Sequence, residues 1–143
     1  MSDVVNETYL ADQWLYENLL ADATLVGLIG SRFYADEAPA SAVYPYVMWN
    51  LISATDVRGQ GTFRIMVNCL YLVKVVGKAT SYGALMPASD RIHAAIDAKG
   101  GDTIAGDHVF SCVREEPYRL SEYSSGVSYR HLGGIFRIHV QKG

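Results

Sequence analysis

Charged side chains are scarce in this chain of 143 residues, where they make up 19% of the sequence against about 25% in typical soluble domains. The net charge of −3 and a pI near 5.7 leave no basic excess of the kind that general nucleic-acid binding needs. Long apolar runs are also missing, since no stretch approaches the roughly 20 residues of a membrane-spanning helix. We therefore expect neither a general nucleic-acid-binding protein nor a membrane protein.

Cysteine is rare, and the two that occur, Cys69 and Cys112, each lie in an apolar, strand-like run. A single disulfide would not make the framework of a small secreted domain, so we expect two buried free thiols. Residues 1–7 are polar and acidic, whereas a signal peptide begins basic and continues apolar. The sequence therefore predicts an intracellular site of synthesis.

Recognisable catalytic motifs are missing as well, since the sequence contains no C-x-x-C, H-E-x-x-H or G-x-S-x-G pattern. Residues 59–61 read Gly-Gln-Gly ahead of a strand, which predicts a hairpin turn rather than a phosphate-binding loop. The spacing of Asp90, His93 and Asp97 would place three metal-ligating side chains on one stripe of a helix, as in a small metal-dependent hydrolase. That stripe lies opposite the apolar side of the helix, so we favour an ordinary solvated face and expect no metal, cofactor or catalytic residue.

Apolar and aromatic side chains are abundant instead. They make up 50% of the chain and include ten Tyr, four Phe and two Trp. A disordered chain could not carry so much apolar mass, and 143 residues suit one ordinary domain. We therefore expect a single folded domain over residues 1–143.

Hydrophobic periodicity predicts three helices and a set of mostly long strands. Asp22 and Gly30 have the residue types that begin and end a helix, and both faces of strand 46–54 are apolar, which predicts cover on both sides. Gly133 and Gly134 interrupt the last strand and predict a bulge or bend. The expected fold class is α+β: a mainly antiparallel β-sheet with a long hairpin, packed against two to three helices. The predicted helices are 7–21, 22–29 and 85–98, the strands are 46–54, 62–76, 103–104, 108–116 and 127–140, and 117–126 is a polar connection.

Arginine outnumbers lysine eight to four, and arginine and tyrosine are favoured where proteins contact one another. Residues 1–40 carry a net charge of −6 and residues 41–143 carry +3, an asymmetry that suits self-association through different surfaces. An ordinary solvated surface is the alternative. The candidate interface residues are Asp56, Arg58, Gln60, Arg64, Arg114, Arg119, Tyr123 and Arg130.

Four features, in order along most of the chain, resemble the tail terminator (tail-completion) proteins of long-tailed bacteriophages. After an opening helix, the chain reads Asp22-Ala-Thr-Leu-Val-Gly-Leu-Ile-Gly30 and then Arg32-Phe-Tyr34 with Ala38-Pro39. Tyr44-Pro-Tyr-Val47 opens a strand, and the long strand 62–73 is followed by Asp90-Arg91-Ile92 and the closing strand Gly134-Ile-Phe-Arg-Ile138. The segment 76–87 departs from the family because it carries Gly83 and Pro87 where a smoother helix entry is expected.

The resemblance implies an α+β subunit without catalytic residues. Such subunits form a ring, expected to be a hexamer, that caps the tail tube in the virion, stops tube polymerisation and joins the tail to the head connector. The implied partners are further copies of the chain, the tail tube protein and the head–tail connector protein, with DNA passing through the lumen without sequence reading. A head-completion connector or a tail-tube subunit is the neighbouring alternative.

Overall fold

The computed structural model describes residues 7–61, 64–104 and 106–141. Three α-helices form where the sequence predicts them. A short 3₁₀ turn precedes the third helix. Asp22 caps the second helix by accepting a hydrogen bond from the backbone N–H of Leu25 at 2.9 Å, and Gly30 follows that helix with a φ of 71°. The helices are α1 (Glu7–Leu20), α2 (Ala23–Ile29) and α3 (Met86–Ile96), and the 3₁₀ turn is Tyr82–Ala84.

Six strands form one sheet in the order β1-β2-β3-β6-β5-β4. The short β1 runs parallel to β2, and all other neighbours are antiparallel. The sheet therefore consists of two long hairpins, β2–β3 and β5–β6, joined side by side through β3 and β6. The strands are β1 (Phe33–Ala35), β2 (Tyr46–Arg58), β3 (Arg64–Lys78), β4 (Asp102–Ile104), β5 (Asp107–Ser124) and β6 (Val127–Gln141). The expected α+β class with a long antiparallel hairpin is confirmed.

The hydrophobic core lies between one face of this sheet and the three helices. Alternate residues of β3 from Val67 to Val75 are buried on this helix-covered face, and they pack with Trp14 and Leu15 of α1 and with Ile92 of α3. Cys69 and Cys112 are buried there as free thiols, as expected. Tyr71 is buried and donates hydrogen bonds from its hydroxyl to Thr8 O at 2.9 Å and Asp12 Oδ1 at 2.7 Å. These bonds tie α1 to the central strand.

The opposite face of the sheet carries no helix in the described part of the chain, so the prediction that β2 is covered on both sides is wrong. Val47 and Trp49 are buried on the helix side, whereas Tyr46 and Met48 on the other side are only half-buried. Beyond Asn50 the strand projects past the helices, and its side chains are mostly exposed up to Arg58. The end of β2 therefore projects beyond the part of the sheet that the helices cover.

The predicted polar connection 117–126 is also wrong, since β5 continues to Ser124 and turns at residues 125–126 into β6. The composition of 117–124 is polar, like that of a loop, because this part of β5 lies at an exposed edge of the sheet, where proline and charged side chains are tolerated. The strand β1 was not predicted, because three residues give too short a pattern. The predicted start of β3 at residues 62–63 lies outside the described residues.

Gly133 and Gly134 do not form the predicted bulge or bend, because they pair in regular register with Lys74 and Val73. The register shifts of the described sheet lie elsewhere, at Leu51/Ser53 and Val57/Arg58 in β2 and at Val109/Ser111 and Arg114/Glu116 in β5. The regular sheet thus extends without a break through the centre of β6.

Candidate functional site

The edge of β2 is open over most of its length. Its neighbour β1 pairs only with Val47, Met48 and Trp49. The chain then leaves the edge at Asp36, whose backbone N–H donates to Trp49 O at 2.8 Å. Within the described residues, no strand pairs with this side of 51–58. That segment presents a row of backbone donors and acceptors of the kind that another strand can extend.

The edge of β5 at the opposite end of the sheet is open as well. The short β4 pairs with residues 107–109, and Lys99 forms one further bridge with Cys112. From Val113 to Ser124 the described chain offers no strand on this side, while β6 continues on the other. We call residues 113–130, the end of the β5–β6 hairpin, the arm.

The predicted interface residues fall into two groups, one on each long hairpin. Asp56 and Arg58 lie near the end of β2 and form an exposed ion pair at 3.5 Å, and Gln60 is exposed in the following turn. Arg64 begins β3, and its side chain lies outside the described part of the molecule. The second group, on the arm, consists of Arg114, Arg119, Tyr123 and Arg130.

Charge is segregated between the two faces of the arm. Register with β6 places Arg114 opposite Phe136 and Arg119 opposite Leu132, on the face of the sheet that the helices cover elsewhere. Arg130, on β6 itself, lies opposite Ser121 on the same face. The acidic side chains occupy the other face, where Glu115 pairs with Arg137. The helix-side arginines are Arg114, Arg119 and Arg130, and the acids of the opposite face are Glu115, Glu116 and Glu122.

A β-bulge produces this segregation. Strict alternation would place Arg114 and Arg119 on opposite faces, since four residues lie between them. The register shift between Arg114 and Glu116 inserts one extra residue and brings both arginines to the helix side. Gly134, buried beside them, leaves room for the stem of Arg114, because a Cβ there would lie 2.9 Å from its Cδ. Sequence alternation alone could not have found this grouping.

Two of the arm arginines pack on Tyr82 of the 3₁₀ turn. The guanidinium carbons of Arg119 and Arg130 lie 5.1 Å and 5.4 Å from the centre of its ring, within the range of cation–π attraction. Arg130 also donates from Nη2 to Thr80 O at 3.1 Å. These contacts anchor the root of the arm to the body, and Arg119 remains exposed. Tyr82 was missed by sequence analysis, since a single tyrosine in a turn carries no pattern.

The face without helices carries a cluster of titratable side chains at the root of the arm. His131, 8% exposed, hydrogen-bonds through Nε2 to Glu122 Oε1. Burial lowers the pKa of His131, the nearby Lys74 lowers it further, and Glu122 raises it in part. Burial also lowers the pKa of Lys74, whose Nζ lies 5.8 Å from the ring centre of Tyr118. Burial at the root of the arm therefore favours the neutral forms of His131 and Lys74.

Two cavities share Tyr44 in their lining. One, of about 550 Å³, is lined by small and apolar residues together with Tyr44 and Lys78. A smaller one of about 170 Å³ lies beside His131 and is lined by Tyr44, Tyr46, Tyr129 and Glu122. Burial raises the pKa of Cys69 to about 12, so this thiol is not a thiolate nucleophile near neutral pH.

The proposed metal stripe does not form. Helix α3 ends at Ile96, so Asp97 is its C-terminal cap, with extended φ and ψ angles, and not part of a helical stripe. Its Oδ2 lies 3.3 Å from His93 Nε2, and its Oδ1 accepts the backbone N–H of Arg114 at 2.7 Å. Asp90 is exposed, and the described residues contain no group of three His, Cys, Asp or Glu side chains that could hold a metal ion. Asp97 instead joins the end of α3 to the base of the arm.

Comparison with solved structures finds a chain in the virion of a native gene transfer agent particle, with a TM-score of 0.67 and 18% sequence identity. The match covers 90% of this chain and 92% of that chain, which shows a shared fold. Comparison with curated protein sequences gives no match.

The described helices include none that is long and apolar enough to span a bilayer. The sequence model of the tail completion protein gp17 family matches residues 13–125, which include the second half of α1, all of α2 and α3, and both open edges. Because that match covers well over half of the chain, the expected phage tail-completion family is confirmed. The chain belongs to the tail completion protein gp17 family, and it is a structural component of the virion tail.

Proposed function

We propose that copies of this chain associate head to tail through their two open sheet edges and close into a ring at the head-proximal end of the tail tube. The observation that carries the proposal is the presence of open edges at the two opposite ends of one sheet, along 51–58 of β2 and 113–124 of β5. Because the two edges differ, pairing one with the other is a heterologous contact, which builds rings or filaments rather than closed dimers. The resemblance to tail terminators favours a closed ring of six copies.

In this ring the chain ends tube polymerisation on one side and presents a surface to the head connector protein on the other. DNA passes through the lumen without sequence-specific contacts, which agrees with the net charge of −3. The role is structural and requires neither a cofactor nor a catalytic residue. Membership in a tail-completion family supports this role.

Negative-stain electron microscopy of the purified protein, alone and mixed with assembling tail tubes, tests the proposal. We expect rings of uniform diameter, and tubes that stop at a single cap when the protein is added. Tubes that grow at an unchanged rate without a cap would refute termination. Rings that bind the head connector but leave tube growth unchanged would favour the alternative of a head-completion connector.

A tail-tube subunit, the other alternative, predicts that the chain polymerises by itself into long tubes. The metal-dependent hydrolase alternative has no three-ligand group in the described residues to support it. Metal analysis of the purified protein tests that alternative directly, because a stoichiometric metal whose removal unfolds α3 would revive it.

A further inference from the structure

The outer half of the arm is only weakly held by the hydrophobic core. At its base, Asp97 at the end of α3 accepts the backbone N–H of Arg114 at 2.7 Å. Farther out the helix side of β5 carries exposed side chains, since the buried core residues of this strand end at Cys112. Pairing with β6 keeps the outer half in the sheet, but the twist between the two strands has to be fixed by other contacts. The exposed helix-side residues are Pro117, Arg119, Ser121 and Tyr123.

The phenol group of Tyr82 supplies such a contact on the helix side of the arm. It receives the guanidinium of Arg119 from β5 and that of Arg130 from β6, whose carbons lie 5.1 Å and 5.4 Å from its centre. Arg130 also donates from Nη2 to Thr80 O at 3.1 Å, in the segment just before the 3₁₀ turn. One aromatic side chain therefore contacts two adjacent strands of the arm at once, each within the range of cation–π attraction.

The 3₁₀ turn that carries Tyr82 is itself fixed to the core. The carbonyl of Tyr82 accepts the backbone N–H of Leu85 at 3.0 Å, and Leu85 is only 4% exposed. The Leu85 side chain packs closely on Gly77 of the central strand, where a Cβ would lie 2.7 Å from its Cδ2. Contacts therefore connect β3 through this turn and Tyr82 to the edge strand β5.

The angle of the β5 edge matters because a head-to-tail contact closes only when the rotation per copy divides a full turn. A rotation of about 60° closes six copies and about 51° closes seven, so the two differ by about 9°. Neighbouring strands in sheets are twisted against one another by roughly 10–35°, a range wider than this difference. An edge strand whose twist is not fixed would therefore allow rings of several sizes.

We propose that Tyr82 is a positioning residue that holds the β5 edge at one angle and thereby sets the number of copies in the assembled ring. The proposal rests on the ring described above. Tyr82 acts through Arg119, which lies on the edge strand, and through Arg130, which lies on its inner neighbour. Holding both guanidinium groups on one phenol fixes the twist between β5 and β6. The β2 edge of the next copy then meets β5 at the same rotation at every contact.

Substitutions at this contact test the role of Tyr82. Tyr82→Ala removes the aromatic face, whereas Tyr82→Phe keeps a face for both guanidinium groups and should behave like the wild type. Arg130→Gln removes one cation at a residue that does not lie on the open edge, and it decides the question if Tyr82→Ala does not fold. Tyr9→Ala, at a tyrosine of α1 that is 68% exposed, is the matched control. Circular dichroism and thermal unfolding establish that each variant is folded.

Native mass spectrometry and class averages from negative-stain microscopy give the copy number of each assembled ring. We expect one copy number for the wild type, Tyr9→Ala and Tyr82→Phe, and several for Tyr82→Ala and Arg130→Gln. In Tyr82→Ala the ratio of rings of the wild-type size to rings of other sizes should fall by about fivefold or more, since two cation–π contacts are lost in every copy. If rings form only on tail tubes, the concentration that caps half of the tubes should rise by about the same factor.

Two results would overturn the role of Tyr82 and leave the ring itself standing. The first is a folded Tyr82→Ala that forms rings of the wild-type size in the wild-type yield, or caps tubes at the wild-type concentration. The second is a Tyr82→Phe variant that gives the same mixture of sizes as Tyr82→Ala, because the aromatic face would then not be the contact that matters. If the wild type forms no ring alone or on tail tubes, the proposed function fails and this role fails with it.

Discussion

Two adjacent glycines at the centre of β6 provide a sharp test of the sheet geometry, because their neighbours differ in kind. A Cβ on Gly133 would lie 2.0 Å from Val73 O and 2.6 Å from the Cα of Lys74, both backbone atoms of the central strand. A Cβ on Gly134 would lie 2.9 Å from Cδ of Arg114, an atom of a flexible and exposed side chain. Alanine at the first position must therefore displace the sheet, whereas alanine at the second displaces the stem of Arg114 and requires only a small shift of the Phe136 ring, whose Cε1 would lie 3.2 Å away.

The expected costs follow from this difference. Nonbonded heavy atoms prefer separations of about 3.5–4.0 Å, so Gly133→Ala forces β3 and β6 apart by more than 1 Å. Overpacking a core costs about 1–3 kcal/mol, and we expect at least about 3 kcal/mol here because backbone must move on both strands. For Gly134→Ala we expect about 1 kcal/mol or less, since the stem of Arg114 rotates away and alanine restricts the unfolded chain.

Thermal and urea unfolding of the two variants beside the wild type measures the difference. A loss of about 3 kcal/mol corresponds to a drop in Tm of about 10 °C for a chain of this size, and Gly134→Ala should lie within about 4 °C of the wild type. An insoluble Gly133→Ala variant beside a soluble Gly134→Ala variant would likewise show that the first substitution is the more destabilising. Equal Tm values for the two variants would refute the close approach of β3 and β6 at Gly133.

Three further predictions concern single side chains. Asp22→Ala should cost about 1–2 kcal/mol in urea unfolding, because the cap to Leu25 and the 2.6 Å ion pair with Arg91 are both lost. Asp22→Asn keeps the cap acceptor and should cost less. Equal costs for the two variants would contradict a contribution from the cap. Because burial lowers the pKa of His131, this side chain takes up a proton at higher pH in the unfolded chain than in the folded one. The wild type should therefore lose stability relative to His131→Gln as the pH falls below about 6.5. Parallel pH profiles of Tm for the two proteins would contradict this. Arg58→Glu should weaken ring or tube binding in sedimentation assays while leaving the Tm of the monomer unchanged, and normal assembly would remove the end of β2 from the interface.

Local signals in the sequence were sufficient for the helices. Asp22 and Gly30 bound α2 as predicted, because a cap forms within a few residues of the chain and needs no distant partner. The end of α3 was predicted two residues too late. Ala98 has a φ of 57°, and Asp97 leaves helical geometry to accept the N–H of Arg114 from a distant strand. That hydrogen bond depends on the tertiary structure.

The arm shows the opposite case. Residues 117–124 are a strand because β6 pairs with them, and nothing in their own composition indicates it. The arginine surface depends on one bulge near Glu115, without which alternation would separate Arg114 from Arg119. The open edges were also beyond reach of the sequence, since an edge is open or covered only once the order of strands is known. The resemblance to tail terminators supplied what the strand pattern lacked.

The difference between the two open edges bears on why the proposed contact closes a ring rather than aggregating. An exposed strand edge is a general aggregation hazard, which proteins limit with charge and proline. The arm edge carries both, since Pro117 offers no backbone N–H and charged residues flank it. The β2 edge carries apolar side chains at Leu51 and Ile52, both exposed. Two arms aligned in one continuous sheet would place arginine beside arginine on the helix side, which disfavours pairing of like edges. Residues 51–57 of β2 carry no basic side chain, so an arm that pairs with this edge avoids the repulsion between two arms, and the head-to-tail contact is favoured over self-pairing.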